Sequence, residues 1–132
     1  MHRYMLDTNI VIYVIKRRPL EILDKFNANA GRMVISTTTL AELIHGAEKS
    51  AYPERNLRTV EEFTSRLDVV SYDDKAAFHY GAILAALEYK GTPIGLNDLH
   101  IAAHARSAGL TLVSNNLRKF TRVDGLICEN WL

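Results

Sequence analysis

The sequence predicts an α/β fold: a mostly parallel sheet of about five strands, flanked by helices. Short apolar or β-branched runs alternate with longer segments of helical spacing, which implies a sheet covered on both faces. Three acidic residues, Asp7, Glu42 and Asp98, also stand close to places where a strand hands over to a helix. In an open α/β sheet that edge is where ligands bind.

The elements follow in order. Tyr4 to Leu6 reads as a short buried strand, and Asn9 to Arg17 is apolar enough for a helix packed on several sides. Pro19 suits a first helical position, which sets a helix over Pro19 to Asn27. Met33 to Ser36 is the second strand. Leu40, Leu43, Ile44 and Ala47 recur at helical spacing and place a helix from about Thr38 to Lys49. Pro53 opens another helix through Leu57, Val60, Phe63 and Leu67, and Val69 to Ser71 is the third strand. Asp73 precedes a helix through Ala77, Ile83, Leu84 and Leu87, stopped by Gly91 with Pro93 beyond. Asp98 to Ala108 is a small-residue helix ended by Gly109. Leu110 to Val113 gives the fourth strand and Leu126 to Cys128 the fifth.

A length of 132 residues with 48% hydrophobic content fits one domain, residues 1–132, with a real core. No run of about 18 uncharged apolar residues exists, so no membrane span is expected. Asp7 interrupts the first apolar run, and the basic Lys16, Arg17 and Arg18 come after it, the reverse of a secretion signal. Cys128 is alone, which excludes an internal disulfide and fits a reducing cytoplasm. A net charge of +1 neither supports nor excludes a nucleic-acid substrate.

Each carboxylate has a structural alternative. Asp7 ends an apolar strand, where a charge must be solvated, paired or metal-bound; it also suits a helix N-cap. Asp98 heads the line Asp98, Ala102, Ala105, Gly109, which faces the sheet; it also suits the positive end of a helix. Glu42 matches the last position of a capping box begun at Thr39, and spacing alone favours that role. What favours chemistry is the combination, since hard divalent cations take oxygen ligands of this kind.

Other constellations fail. His100-Ile-Ala-Ala-His104 lacks the glutamate of a zinc protease motif; His104 is expected in the core or at the site's edge and His100 in solvent. No serine-hydrolase elbow occurs, and Gly91-Thr-Pro-Ile-Gly95 lacks the lysine of a phosphate loop. Cys128 has no activating partner and reads as a buried small residue.

Met5-Leu-Asp-Thr-Asn9 resembles the opening motif of PIN-domain nucleases. Thr39-Leu-Ala-Glu-Leu43 with Gly46 is similar to their second motif, and Asn97-Asp-Leu-His-Ile-Ala-Ala-His-Ala105 to their third. Val113-Ser-Asn-Asn-Leu-Arg-Lys-Phe120 resembles the fourth, and Glu129-Asn-Trp131 a common ending. The match runs through nearly the whole chain in order. Among PIN domains it looks like the VapC toxins of toxin–antitoxin pairs.

The resemblance implies a PIN-like fold and an endoribonuclease dependent on Mg²⁺, for which Mn²⁺ can substitute. Asp7, Glu42 and Asp98 would be the acidic residues of the site, with Asp7 and Asp98 on the metal and Glu42 acting on the attacking water. Thr8, Asn9, Ser114 and Asn116 would position substrate or ligand by hydrogen bonds, while Asn115 has an equal claim as turn chemistry. The implied substrate is tRNA, with the anticodon stem-loop of initiator tRNA the leading candidate. The implied partners are a VapB-type antitoxin, a second copy in a homodimer, and operator DNA reached only through the antitoxin. A frequent family form has glutamate where Lys119 stands, so the fourth carboxylate is absent here. Lys119 is expected to face solvent, with a phosphate contact as the alternative. Two other functions stay open: a non-catalytic PIN-like binding module, and a nuclease acting on another RNA or on DNA.

Overall fold

A parallel sheet must hide both faces, and this chain hides them under two different sets of helices. A computed structural model describes residues 1–132. Its strands are β1 (Tyr4–Leu6), β2 (Met33–Ser36), β3 (Asp68–Val70), β4 (Thr111–Val113) and β5 (Cys128–Glu129). They lie in the order β3-β2-β1-β4-β5, and every neighbouring pair is parallel. The helices are α1 (Thr8–Lys16), α2 (Leu20–Ala28), α3 (Thr37–Glu48), α4 (Pro53–Thr64), α5 (Asp74–Lys90), α6 (Leu96–Ser107) and the short α7 (Leu117–Phe120).

Successive strand residues point to opposite faces, and this alternation sorts the core into two halves. Tyr4 and Leu6 of β1, Met33 and Ile35 of β2 and Val113 of β4 join apolar residues of α1 to α4. Met5, Val34 and Leu112 turn the other way, against α5, α6 and Phe120 of α7. Ala102, Ala103 and Ala105 of α6 are fully buried, so that helix can lie close to its neighbours. It runs along α5 and touches α3 and β4.

The observed boundaries depart from expectation in particular places. Pro19 is the N-cap of α2, one residue outside the helix. The α4 helix stops at Thr64, so Leu67 lies beyond it, partly buried against the core. β3 starts at Asp68 and ends at Val70, one residue earlier than expected at each end. Asp98 is the third residue of α6, which starts at Leu96. The last strand is Cys128–Glu129 instead of Leu126 to Cys128. Asp73 does cap α5, accepting a hydrogen bond from the Ala76 N–H at 3.0 Å. Gly91 closes that helix at φ 70°, a left-handed conformation in which a Cβ would be strained.

The strand order sets the position of the site. From central β1 the chain builds outward through β2 and β3, then returns to lay β4 on the other side of β1. The connections therefore diverge at the C-terminal ends of β1 and β4, where an open α/β sheet forms its crevice. Asp7 directly follows β1, and its N–H donates to the Val113 carbonyl at 3.0 Å. Ser114 directly follows β4.

One stability prediction follows from the larger half of the core. Phe63 is 1% exposed and meets Phe26 with ring centroids 5.7 Å apart. Phe63→Ala should lower unfolding free energy by about 3–5 kcal/mol in urea denaturation. A loss under about 1 kcal/mol would mean that α4 does not hold down this face.

Candidate active site

Asp7 is the N-cap that its sequence position allows, and it is buried at the rim. It is 4% exposed, and its carboxylate accepts the Ile10 N–H at 3.0 Å as the N-cap of α1. Burial raises its pKa above the ordinary carboxylate value, because a charge loses water there. The Ser114 hydroxyl and the Ile10 N–H oppose that shift. The Asp98 charge adds to it, and the Lys119 ammonium opposes it. Asp7 and Asp98, distant in sequence, thus share one electrostatic neighbourhood.

Asp98 lies in the first turn of α6, at the favourable positive end of the helix. Gly95 leaves room for it: a Cβ on Gly95 would lie 3.3 Å from Asp98 Oδ2. Lys119, expected in solvent, instead donates from Nζ to Asp98 Oδ2 at 2.6 Å. Its side chain is only 24% exposed. The physical reason is local. α7, which the sequence reading did not include, turns residues 117–120 back toward the sheet and buries Phe120. The neighbouring lysine is thereby aimed at Asp98.

Glu42 is not the end of a capping box. Ser36 is the N-cap of α3, with its hydroxyl accepting the Thr38 N–H at 3.0 Å. Glu42 stands one turn further along, half-buried. Its Oε1 accepts from the Thr8 hydroxyl at 2.7 Å, and its Oε2 from the Asn97 amide at 3.2 Å. Thr8 is the first residue of α1 and Asn97 immediately precedes Asp98, so Glu42 is tied to both other acidic segments. Sequence reasoning missed Asn97 and placed Lys119 in solvent, away from Asp98. The signal for Asn97 was its place beside Asp98; for Lys119 it was the departure from the family pattern.

The four expected positioning residues divide. Thr8 orients Glu42. Ser114 is fully buried and supports Asp7, while its oxygen accepts the Asn116 N–H at 3.0 Å, so it is not a surface contact for substrate. Asn9 and Asn116 are exposed near the same edge. Asn115 donates to the Tyr13 hydroxyl at 3.1 Å.

Further along α6, His104 is buried, with Nδ1 2.8 Å from the Ser36 hydroxyl. Burial lowers its pKa below the ordinary histidine value. His100 does not face solvent as expected. It stacks on Tyr80 at 4.2 Å and lies 2.9 Å from the Tyr72 hydroxyl. Cys128 is half-buried, and desolvation pushes its thiol up to about 11, which leaves it protonated and unreactive.

No three His, Cys, Asp or Glu side chains converge at metal-holding distance. The rim instead holds a coupled pair, Asp7 and Asp98, with Glu42 hydrogen-bonded beside them. Such a set fits Mg²⁺, which uses one or two carboxylates and fills its other positions with water and substrate phosphate. The buried Asp7 charge, disfavoured by desolvation and by Asp98, is the observation that a cation would relieve.

That imbalance gives a pH prediction. A raised pKa in the folded state means stability that is complete below the ordinary carboxylate value and lost as pH rises through the folded value. Asp7→Asn keeps the cap and removes the charge. Without metal it should therefore raise Tm at neutral pH, and the gain should vanish near pH 3. A lower Tm for this variant at neutral pH would show that the Asp7 charge is fully compensated by its partners.

Comparison with known proteins identifies the family. The PIN domain family model matches residues 4–126. The chain is 64% identical over 132 residues to Ribonuclease VapC2 of Haemophilus influenzae, covering all of both chains. It is 54% identical over 131 residues to the tRNA(fMet)-specific endonuclease VapC of Shigella flexneri, covering 99% of each. A crystal structure of DNA-bound VapBC from Salmonella typhimurium superposes with a TM-score of 0.96 at 55% identity, covering 100% of both chains. The chain belongs to the VapC ribonucleases of the PIN-domain family.

Proposed function

We propose that this chain is a Mg²⁺-dependent endoribonuclease toxin that cleaves initiator tRNA in the anticodon stem-loop and so stops translation. The observation that carries the reading is the buried Asp7 carboxylate, coupled to Asp98 at the crevice between β1 and β4. The target follows from similarity over essentially the whole chain to VapC proteins named for tRNA(fMet) cleavage, at 54% and 55% identity.

Asp7 and Asp98 would hold the cation. When bound, it would neutralise their charge and stabilise the negative charge that develops on the scissile phosphate. Asp7 is positioned by its cap bond to Ile10, so α1 fixes one donor. The first turn of α6 fixes the other. Glu42 is oriented through both of its oxygens by Thr8 and Asn97, a geometry suited to holding the attacking water and taking its proton. The first turns of α1 and α6 supply the positive ends of helix dipoles near the RNA phosphate. With water as nucleophile the products are a 5′-phosphate and a 3′-hydroxyl.

The partners follow the same reading. A groove of about 340 Å³ between α1, α3 and α4 ends at Thr8 and Glu42, and Ile12, Leu43 and Val60 line it. That lining suits the apolar face of a peptide helix, here a segment of a VapB-type antitoxin that would cover the rim. Operator DNA would be met through that antitoxin. Three of the structural relatives are VapBC complexes, two of these three with DNA. Phe78 and Tyr89, 80% and 94% exposed, lie about three turns apart on α5 and suit contact with a second copy.

Asp7→Asn and Asp98→Asn should each reduce Mg²⁺-dependent cleavage of purified initiator tRNA by about 100-fold or more, with the fold retained by circular dichroism. Full activity in both would remove them from the site. Ends bearing a 2′,3′-cyclic phosphate would rule out water as the nucleophile. Single-stranded DNA cut as fast as tRNA would favour a nuclease of other specificity.

A further inference from the structure

We infer that Lys119 is a tethered cation built into the acidic rim, so that a divalent metal must compete with its ammonium for Asp98. This rests on the reading of Asp7 and Asp98 as metal-holding residues. It goes beyond that reading because it concerns the position at which this chain departs from the common family pattern.

Three observations carry the inference. Lys119 Nζ lies 2.6 Å from Asp98 Oδ2, the distance of a charge-assisted hydrogen bond. Both side chains are largely shielded, at 24% and 30% exposure, so the pair is less screened by water and salt than a surface contact. The ammonium also acts on Asp7, the other member of the coupled pair, and favours its charged form. The other ion pairs, Arg66 to Glu62 and Lys90 to Asp124, and the His2 contact to Asp68 involve no residue of the rim.

The arrangement is anchored. Phe120, next to Lys119, is fully buried, and Phe120 and Val123 belong to the core cluster under α5 and α6. The lysine backbone is therefore held in place. Its flexible stem can still carry the ammonium away from Asp98 when another cation arrives. Two positive ligands that share one carboxylate are negatively coupled, and coupling between interacting ligands is typically about 5–150-fold in affinity.

The consequence has two parts. Without metal, Lys119 compensates the like charges of Asp7 and Asp98 and stabilises the fold. With metal, it lowers affinity, so that occupancy of the site needs a higher ion concentration or the added charge of a bound RNA phosphate. An acid at this position would do the opposite on both counts.

The test uses the full-length protein without RNA, with Mn²⁺ as probe. Binding is followed by electron paramagnetic resonance of free Mn²⁺, and metal-free Tm by differential scanning fluorimetry. Lys119→Met should bind Mn²⁺ at least about tenfold more tightly than the parent, and Lys119→Glu more tightly still. Both should have a lower metal-free Tm, restored by Mn²⁺. Lys119→Arg should keep the parent affinity to within a few-fold. Arg122→Met removes a nearby exposed charge whose guanidinium donates to the Pro93 carbonyl, and should leave Mn²⁺ binding unchanged.

Equal Mn²⁺ affinity in the parent and in Lys119→Met would overturn the inference while leaving the metal reading intact. A shift in Arg122→Met as large as in Lys119→Met would also overturn it, because net charge alone would then explain the effect. Loss of Mn²⁺ binding in Lys119→Met would show that the lysine supports the ion. Absence of Mn²⁺ binding in every form would sink the metal reading and this inference together.

Discussion

Like charge held out of water is the constraint on which this structure turns. Asp7 sits at the end of the central strand, nearly without solvent, with Asp98 close enough to raise its pKa further. A buried carboxylate without partners would neutralise or destabilise the fold. Here the Ile10 N–H, the Ser114 hydroxyl and the ammonium of Lys119 offset only part of that cost, and the Asp7 pKa stays raised. Each of these partners comes from a different stretch of chain, so the packing of α1, β4 and α7 converges on one charge.

The fold makes that convergence possible by separating coverage from chemistry. Period-2 alternation sends Tyr4 and Leu6 to one helical layer and Met5 to the other, which fixes β1 firmly from both sides. The residue after such a strand has little freedom, and it lies where the chain connections diverge. The aspartate that starts α1 is the aspartate that the crevice presents. The cap expected at this position does not take Asp7 away from the rim.

Much of this was legible in the sequence. The five strands and six longer helices follow from short apolar runs, helical spacing, and the signals at Asp73 and Gly91. The boundaries at Pro19, Leu67 and the last strand were not, because tertiary contacts set them. Leu67 continues the apolar spacing of α4 yet packs against the core from outside the helix. The capping box at Thr39 was false because Ser36, in the preceding strand, had already capped α3. Lys119 was misjudged for a related reason. A lysine on a polar stretch reads as solvated, and only the burial of Phe120 by the four-residue α7 aims it at Asp98. Three-dimensional neighbours of this kind leave no periodicity to read.

The rim also divides into two halves that sequence adjacency couples. Asp7, Asp98 and Lys119 form an electrostatic group, while Glu42, Thr8 and Asn97 form a hydrogen-bonded one. Asp7 and Thr8 are consecutive, as are Asn97 and Asp98, so each pair sends one residue to each half. A displacement of the first turn of α1 or α6 must therefore move a charge and a hydrogen-bond donor together. Orientation of Glu42 and spacing of the two aspartates cannot be tuned independently by shifting those helices. Lys119 enters from a separate segment and touches only the electrostatic half. It is thus the position at which charge can change without disturbing Glu42, so a change of charge there alters the ion balance of the rim while leaving the hydrogen bonds of Glu42 in place.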